Sequence, residues 1–300
     1  MPSALMIRGA SPNLGRRVRF GHIAIRTVSR NGEAAEMEPS RVQVDGASLV
    51  VRDRGRGAAV LLIHGTAPML WGRVPDALAT THRVIDYDRR SFGDSTAPPP
   101  RDPRRHADDA AVVLTRLGAG PVLVVGWSMG AVIALELACR HSRLVAGLVL
   151  LEPPFRAKQH PRPAMVRAVL GATLLGRLGR AEAGAERFLR WALARRDGSS
   201  AYDDAGAGWR NEVRRHAAAI VSELDAGEHL DRRAVAALTV PTTVVAGSES
   251  DPIFPAAARR LAALIPGAGF AVAPGSSHAI PFDASAVVVD VVRHLPVAAE

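Results

Sequence analysis

The residues with the clearest capacity for chemistry form the pentapeptide Gly-Trp-Ser-Met-Gly at 126–130, with a serine at its centre. An apolar run at 122–125 precedes it, and a helical pattern at 131–140 follows. Strand, G-x-S-x-G and helix in this order are typical of a nucleophile elbow, in which a tight turn exposes the serine oxygen at the top of a sheet. The pattern therefore predicts that Ser128 is a catalytic nucleophile.

The residues around Ser128 fit the sterics of such a turn. A serine with strained backbone angles needs small neighbours two positions away on either side, and Gly126 and Gly130 meet that need. The turn also places the serine at the positive end of the helix predicted after it. Trp127 occupies the variable position before the serine.

A nucleophilic serine needs hydrogen-bond donors for the oxyanion that forms when it attacks. His64-Gly65-Thr66 follows an apolar strand pattern at 58–63. In a parallel sheet this loop lies at the carboxyl edge, beside the elbow. We expect the backbone N–H groups of Thr66 and Met129 to form the oxyanion hole, and His64 to hold the loop by hydrogen bonds rather than to catalyse.

The serine also needs a base, which we expect in a loop near the end of the chain. His278 follows the strand pattern at 269–273 within a loop rich in Gly and Ser. His294 falls near the end of the last helical pattern, where it faces solvent. His278 is therefore the predicted base.

The acid that orients the base is expected after the preceding strand pattern, at 242–246. Asp251 is favoured there because Pro252 follows it directly and stiffens the loop. Glu249 in the same loop and Glu152 at the end of an earlier strand remain alternatives. The predicted catalytic set is Ser128, His278 and Asp251.

The elements that must position these residues alternate along the chain. Strand patterns occupy 41–45, 48–52, 58–63, 83–87, 122–125, 144–151, 242–246 and 269–273, and helical patterns occupy 106–117, 131–140 and 285–295. This alternation predicts an α/β fold with a mostly parallel sheet and helices on both faces.

One region interrupts the alternation. Several prolines follow the strand at 144–151, and helical patterns at 164–178, 181–196 and 208–224 then replace the strands. We therefore predict two core parts, 37–152 and 233–300, and between them an inserted helical cap at 153–232.

The composition narrows the function classes. The chain has 300 residues and a net charge of +9, but residues 1–32 hold six arginines and no acid, so the rest carries only +3. This distribution favours a basic N-terminal segment over a nucleic-acid-binding patch. Residues 1–36 contain no apolar segment of the length a secretory signal needs, and we expect them to be a disordered extension. With no apolar run near the ~20 residues of a membrane span, we expect a cytoplasmic protein without membrane segments.

Two further segments give the chain a family resemblance. From about residue 41 to its end it resembles the α/β-hydrolase superfamily. His64-Gly65 is similar to the oxyanion-loop dipeptide of that family, and the segment from Asp88 to Ser95 is similar to its D-x-R-G-x-G-x-S motif, with Arg90-Ser91 where Arg-Gly is common. The order serine, aspartate, histidine also matches, and the Gly-Trp-Ser elbow is similar to those of carboxylester hydrolases.

The resemblance implies hydrolysis of a small to medium ester-type acyl substrate through an acyl-enzyme intermediate, with no metal or organic cofactor. Thioesterase, lactonase, perhydrolase-type haloperoxidase and C–C bond hydrolase chemistry stay open on the same residues. A ligand-binding protein that retains the fold is an alternative from another class. A nucleophilic serine in place of aspartate argues against haloalkane dehalogenase and epoxide hydrolase chemistry.

Overall fold

A computed structural model describes residues 39–68, 70–100, 102–225 and 230–296 of the chain. The extension predicted at 1–36 lies outside the described residues. Among the described residues, no helix combines the length and the apolar character that crossing a membrane requires.

The described strands form one eight-stranded sheet in the order β1-β2-β4-β3-β5-β6-β7-β8. β1 and β2 form a hairpin that pairs antiparallel with β4, and the remaining pairs are parallel. The strands are β1 (Ser40–Val44), β2 (Ala47–Arg54), β3 (Ala59–Ile63), β4 (Arg83–Tyr87), β5 (Val122–Trp127), β6 (Val145–Leu151), β7 (Thr242–Gly247) and β8 (Gly269–Ala273). The predicted α/β class with a mostly parallel sheet is confirmed.

Helices cover both faces of the sheet, and the two largest apolar clusters of the described residues lie one on each side of it. All six residues of β5 are buried, because its neighbours β3 and β6 and both helical layers enclose it. The helices of the two core parts are α1 (Val74–Ala79), α2 (Pro103–Arg116), α3 (Met129–Arg140), α9 (Arg232–Ala236), α10 (Ile253–Leu264), α11 (Ile280–Asp283) and α12 (Ser285–His294).

Between β6 and β7 the described residues form helices and no named strand. Five of them precede α9 and are called the helical insertion below: α4 (Pro163–Arg177), α5 (Ala181–Ala192), α6 (Ala201–Asp204), α7 (Gly206–Arg215) and α8 (Ala217–Leu224). The continuous helix predicted at 208–224 is wrong: it breaks at His216, whose ring bonds to the Ser91 carbonyl of the core at 2.9 Å.

Candidate active site

Ser128 lies between the end of β5 and the start of α3 with backbone angles of φ 54° and ψ −119°. A residue other than glycine rarely adopts a positive φ, so the backbone of this turn is strained. Strain of this kind is common at functional sites. A Cβ at position 126 would lie 2.5 Å from the Gly130 carbonyl oxygen, and one at position 130 would collide with the Ile63 carbonyl oxygen. The two glycines of the motif are therefore required sterically.

Gly65 brings the loop after β3 directly against the elbow. A Cβ at position 65 would lie 2.9 Å from the Ser128 Cβ and 3.0 Å from the Trp127 carbonyl oxygen, so no larger residue fits. Thr66, the next residue, lines the same cleft as Ser128 and Met129. Met129 is the first residue of α3, where a backbone N–H has no acceptor within the helix.

His278 bonds to Ser128, as the sequence predicts. Its Nε2 lies 2.9 Å from the Ser128 Oγ. The Phe254 ring stacks on the imidazole, with centroids 3.7 Å apart and planes 14° from parallel. The Trp127 indole N–H donates to the His278 carbonyl at 2.7 Å, so the residue beside the nucleophile also holds the loop of the base.

Glu152 is the carboxylate that contacts His278, with Oε2 2.7 Å from Nδ1. The expectation that Asp251 fills this position is corrected by the structure, which selects the alternative at the end of β6. Ser128, His278 and Glu152 thus form one continuous hydrogen-bonded chain. The strands that carry Ser128 and Glu152 are adjacent, since β5 pairs directly with β6, whereas His278 follows β8, two strands beyond β6.

The Glu152 side chain is buried and accepts further hydrogen bonds from the loop after β7. The Gly247 N–H donates to Oε1 at 2.8 Å, and the Ser250 hydroxyl donates to Oε2 at 3.0 Å. Burial raises the pKa of Glu152, and the hydrogen bonds from His278 and this loop partly oppose the shift. The loop predicted to carry the acid instead supplies donors to it.

Asp251 contacts the start of α10 and the helical insertion instead of His278. Its Oδ1 accepts from the Ile253 N–H at 3.0 Å, at the start of α10, and its Oδ2 accepts from the Trp191 indole N–H of the helical insertion at 3.2 Å. The other alternative, Glu249, accepts from the Ser248 hydroxyl at 3.1 Å. Neither carboxylate shows a hydrogen bond to His278 in this structure.

The sequence positions of Asp251 and Glu152 are consistent with these different contacts. Asp followed by Pro is a common start for a helix, and α10 begins directly after Pro252. Glu152 ends the strand that pairs with the nucleophile strand, and its φ of 42° turns the chain sharply at the sheet edge. A carboxylate at such a turn is a stronger candidate for the acid than one that starts a helix.

A second buried charge cluster supports the loop after β3, which carries Gly65 and Thr66. The Arg89 guanidinium pairs with Glu223 at 2.5 and 3.1 Å, donates to the Gly65 carbonyl at 2.7 Å and contacts the His106 ring at 3.0 Å. The Arg89 backbone N–H donates to His64 Nε2 at 3.2 Å, and His64 Nδ1 bonds to the Gly65 carbonyl at 2.8 Å. Because Glu223 lies on α8, this cluster joins the helical insertion to the loop beside Ser128.

Electrostatics fix the protonation states in this cluster. Burial, with the charge of Arg89 beside it, holds the pKa of His64 well below its ordinary value, so the ring is neutral and accepts through Nε2. Burial alone would raise the pKa of Glu223, but the Arg89 charge and the hydrogen bonds from His106 and Arg89 lower it overall. Glu223 and Arg89 therefore form a permanent ion pair.

The cleft above Ser128 has a volume of about 780 Å³, its open mouth included. Its floor is formed by Thr66, Ser128 and Met129, and its walls are mostly apolar side chains of the helical insertion and of α10. The wall residues with the largest apolar side chains are Met165, Phe188, Trp191, Leu224, Ile253 and Phe254. The arrangement can hold an apolar group with its reactive carbonyl on the serine.

Comparison with known proteins identifies the fold family. A family model described as the alpha/beta hydrolase fold matches residues 58–285. A pimeloyl-[acyl-carrier protein] methyl ester esterase of Chromobacterium violaceum is 34% identical over 248 residues, which are 78% of this chain and 92% of that protein. An uncharacterized hydrolase, YraK, of Bacillus subtilis is 35% identical over 37% of this chain, and the match spans 43% of its own length.

Among solved structures, the enol-lactonase from Burkholderia xenovorans LB400 superposes with a TM-score of 0.70 at 21% identity. The match covers 85% of this chain and 99% of that one. At this identity the likeness concerns the fold alone.

Proposed function

From the premise that this chain belongs to the α/β hydrolase fold family, we propose that it is a serine hydrolase that cleaves a small to medium ester-type acyl substrate. Ser128 is the nucleophile, His278 the general base and Glu152 the acid that orients it. One observation carries the proposal: a single line of hydrogen bonds of 2.9 and 2.7 Å joins the strained serine to a buried carboxylate through both nitrogens of one imidazole.

The first half of the reaction forms an acyl-enzyme. His278 Nε2 accepts the Ser128 hydroxyl proton while Oγ bonds to the acyl carbonyl carbon, and the carbonyl electron pair moves to the oxygen. The Nδ1–H of the resulting imidazolium stays bonded to Glu152, which remains ionised and stabilises the positive charge. As the tetrahedral intermediate collapses, His278 gives the proton to the departing alkoxide, which leaves as an alcohol.

The backbone N–H groups of Thr66 and Met129 stabilise the oxyanion in this proposal. Both residues line the floor of the cleft next to Ser128, and Met129 adds the positive end of α3. Removal of one such donor typically costs a factor of about 10²–10³ in rate. The Arg89 bond to the Gly65 carbonyl then acts on this site by holding the loop that carries Thr66.

The second half releases the acid product. Water takes the place of the alcohol, His278 removes its proton, and the hydroxide oxygen bonds to the acyl carbon. Collapse returns the proton from His278 to Ser128 Oγ and frees the carboxylic acid. These steps use residues of the chain and water alone.

The cleft favours a neutral, apolar acyl group. Its walls are largely apolar and hold two charged residues. Glu223 is neutralised by its bidentate pairing with Arg89, and the Lys158 ammonium donates to the Leu224 carbonyl at 2.9 Å. Phe188 and Trp191 of α5 and Met165 of α4 come from the helical insertion, so this segment sets the size of the acyl group. A panel of nitrophenyl esters, thioesters and lactones of increasing chain length would rank the substrate classes.

The proposal is tested by turnover of a short-chain nitrophenyl ester. Ser128→Ala should lower kcat by about 10⁴-fold or more, because no other group replaces the nucleophile. Ser142→Ala, which changes an exposed serine before β6, is the matched control and should keep the wild-type rate. Near-native turnover in Ser128→Ala would overturn the assignment.

A further inference from the structure

One helix of the insertion exposes large apolar side chains to an unusual degree. Leu170, Leu174 and Leu178 of α4 and its C-cap are 64%, 59% and 65% exposed. Among the described residues, Val272 on β8 is the only other exposed large hydrophobic residue, at 45%. Scattered single apolar residues are normal on a surface, whereas three on one helix face are typical of an interaction site.

The three leucines share their face with cations. At about 100° per residue, Leu170, Leu174 and Leu178 cover an arc of about 80°, and Arg167 and Arg177 fall inside or within about 20° of it. Both arginines are exposed. The buried side of α4 lies opposite, so the leucine and arginine side chains point away from the fold. We call this face the α4 ridge.

The surroundings of the α4 ridge are basic. Residues 154–180 contain five arginines and one lysine and no acidic residue. The Arg187 guanidinium of α5 reaches the Arg167 carbonyl at 3.3 Å and adds a further cation beside the ridge. Asp225 lies 4.0 Å from Arg177 and places an acidic group at the far end of the ridge.

We propose that the α4 ridge docks on an anionic lipid surface. Leucines at a headgroup boundary lose their contact with water, and the flanking arginines pair with lipid phosphates, as in amphipathic helices that lie in a membrane interface. A second copy of the chain is a poor occupant because two such ridges repel each other. The basic segment at 1–32, with six arginines and no acid, is repelled in the same way.

The shape of the ridge also favours lipid over a protein partner. The leucines stand on the outer side of a single helix, and a convex row of side chains fits a deformable flat surface, whereas a protein partner must supply a complementary groove. Met165 and Val169 of the same helix line the cleft above Ser128, so docking would hold the cleft close to the lipid. The proposal does not depend on the chemistry assigned to Ser128.

Co-sedimentation of the full chain with lipid vesicles tests the proposal. The bound fraction should be about tenfold higher on vesicles of phosphatidylcholine mixed with phosphatidylglycerol than on phosphatidylcholine alone, and added salt should lower it. The variant Leu170→Gln/Leu174→Gln/Leu178→Gln should lose about tenfold of that binding. Val272→Gln, the matched change at the exposed valine on β8, should bind like wild type.

The charge component has its own pair of variants. Arg167→Gln/Arg177→Gln should weaken binding to the anionic vesicles, whereas Arg143→Gln/Arg232→Gln, which removes the same charge from two exposed arginines outside the insertion, should have less than half that effect. All four variants should hydrolyse a soluble nitrophenyl ester like wild type, which shows that they are folded. Ser128→Ala should bind vesicles normally, so a failure of the proposed hydrolysis is separable from a failure of docking.

Three results would overturn the proposal. One is wild-type binding by the triple leucine variant, which would assign any lipid affinity to the N-terminal arginines. Another is binding to an acidic polypeptide, such as polyglutamate, that needs the leucines in the absence of vesicle binding, which would indicate a protein partner. The third is a dimer in solution that the leucine substitutions dissociate, which would make a second copy the occupant.

Discussion

Two buried glutamates of the candidate site have different surroundings: Glu152 contacts His278, and Glu223 lines the cleft. The charges around them distinguish a residue of the proposed reaction from one that holds the fold together. Glu152 at the sheet edge is 0% exposed and accepts from neutral donors, the Gly247 N–H and the Ser250 hydroxyl, and from the His278 ring. Glu223 on α8 is 4% exposed and forms an ion pair with Arg89. Burial pushes the pKa of both upward. At Glu223 the Arg89 charge, with hydrogen bonds from His106 and Arg89, reverses this shift, whereas at Glu152 the hydrogen bonds oppose it only in part.

The difference in the charges around the two carboxylates indicates what each can contribute to a reaction. Among the described residues that contact Glu152 there is no permanent cation, so in the proposed reaction its charge gains a full partner when His278 takes the Ser128 proton. That gain arises in the transition state and can accelerate the reaction. The charge of Glu223 is already compensated, and its contribution is to hold the helical insertion and the loop of Gly65 together.

The largest expected effect comes from Glu152→Gln. An amide can hold the His278 ring but favours the wrong tautomer and leaves the imidazolium without a counter-charge, so kcat on a nitrophenyl ester should fall by about 10³–10⁴. The free energy of unfolding, measured by urea titration, should not fall, because the change removes a buried carboxylate of raised pKa. A loss of stability with an unchanged kcat would show that Glu152 stabilises the fold and takes no part in the reaction.

Glu223→Gln should act mainly on the free energy of unfolding and not on kcat, the reverse of Glu152→Gln. Breaking a buried pair leaves the Arg89 charge uncompensated and typically costs about 3–5 kcal/mol of unfolding free energy. Glu212→Gln is the matched control, since Glu212 on α7 pairs with Arg215 at the surface and should cost less than about 1 kcal/mol. Equal stability losses in the two variants would contradict the account of the Arg89 cluster.

The two glutamates should also respond to pH with opposite signs. The folded-state pKa of Glu223 is lowered, so its stabilisation is present above the ordinary value and is lost as pH falls through the folded pKa. The folded-state pKa of Glu152 is raised, so its stabilisation is present below the ordinary value and is lost as pH rises through the folded pKa.

Urea titrations at about pH 7 and about pH 4 measure this contrast. Relative to wild type, Glu223→Gln should gain stability as the pH is lowered, and Glu152→Gln should lose it. The same direction of change in both variants would show that burial, and not the partner, sets the two pKa values.

The smallest effect is expected from Asp251→Asn. Its carboxylate accepts from the Ile253 N–H at the start of α10 and from the Trp191 indole, so the change should cost about 0.5–1 kcal/mol of unfolding free energy. The kcat should stay within about threefold of wild type, which circular dichroism melting and ester turnover would show together. A loss comparable to that of Glu152→Gln would restore Asp251 as the acid.

The sequence predicted the parts of this molecule that are determined locally. The elbow was predictable because a positive φ at Ser128 demands small residues at 126 and 130, and β5 was predictable because a strand buried on both faces is apolar throughout. The bond between His278 and Ser128 followed from chain order and strand ends.

The acid was not predictable in the same way, because it depends on three-dimensional contacts between distant segments. Position 152 and the loop at 247–250 lie about a hundred residues apart, and their hydrogen bonds are visible only once β6 and β7 pair. The Arg89–Glu223 pair has a similar origin, since it joins residues 134 positions apart. The α4 ridge was missed because a helical pattern shows which face is apolar but not which face the fold covers.

The most direct test of the central claim is the rate at which a fluorophosphonate modifies the protein, since this rate reports activation of the nucleophile for any substrate class. The label should appear on Ser128 by peptide mass spectrometry, and the second-order rate constant should fall at least about 100-fold in Glu152→Gln and stay near wild type in Asp251→Asn. Labelling at another residue, or a slow rate in Asp251→Asn with a normal rate in Glu152→Gln, would contradict the assignment of Ser128, His278 and Glu152.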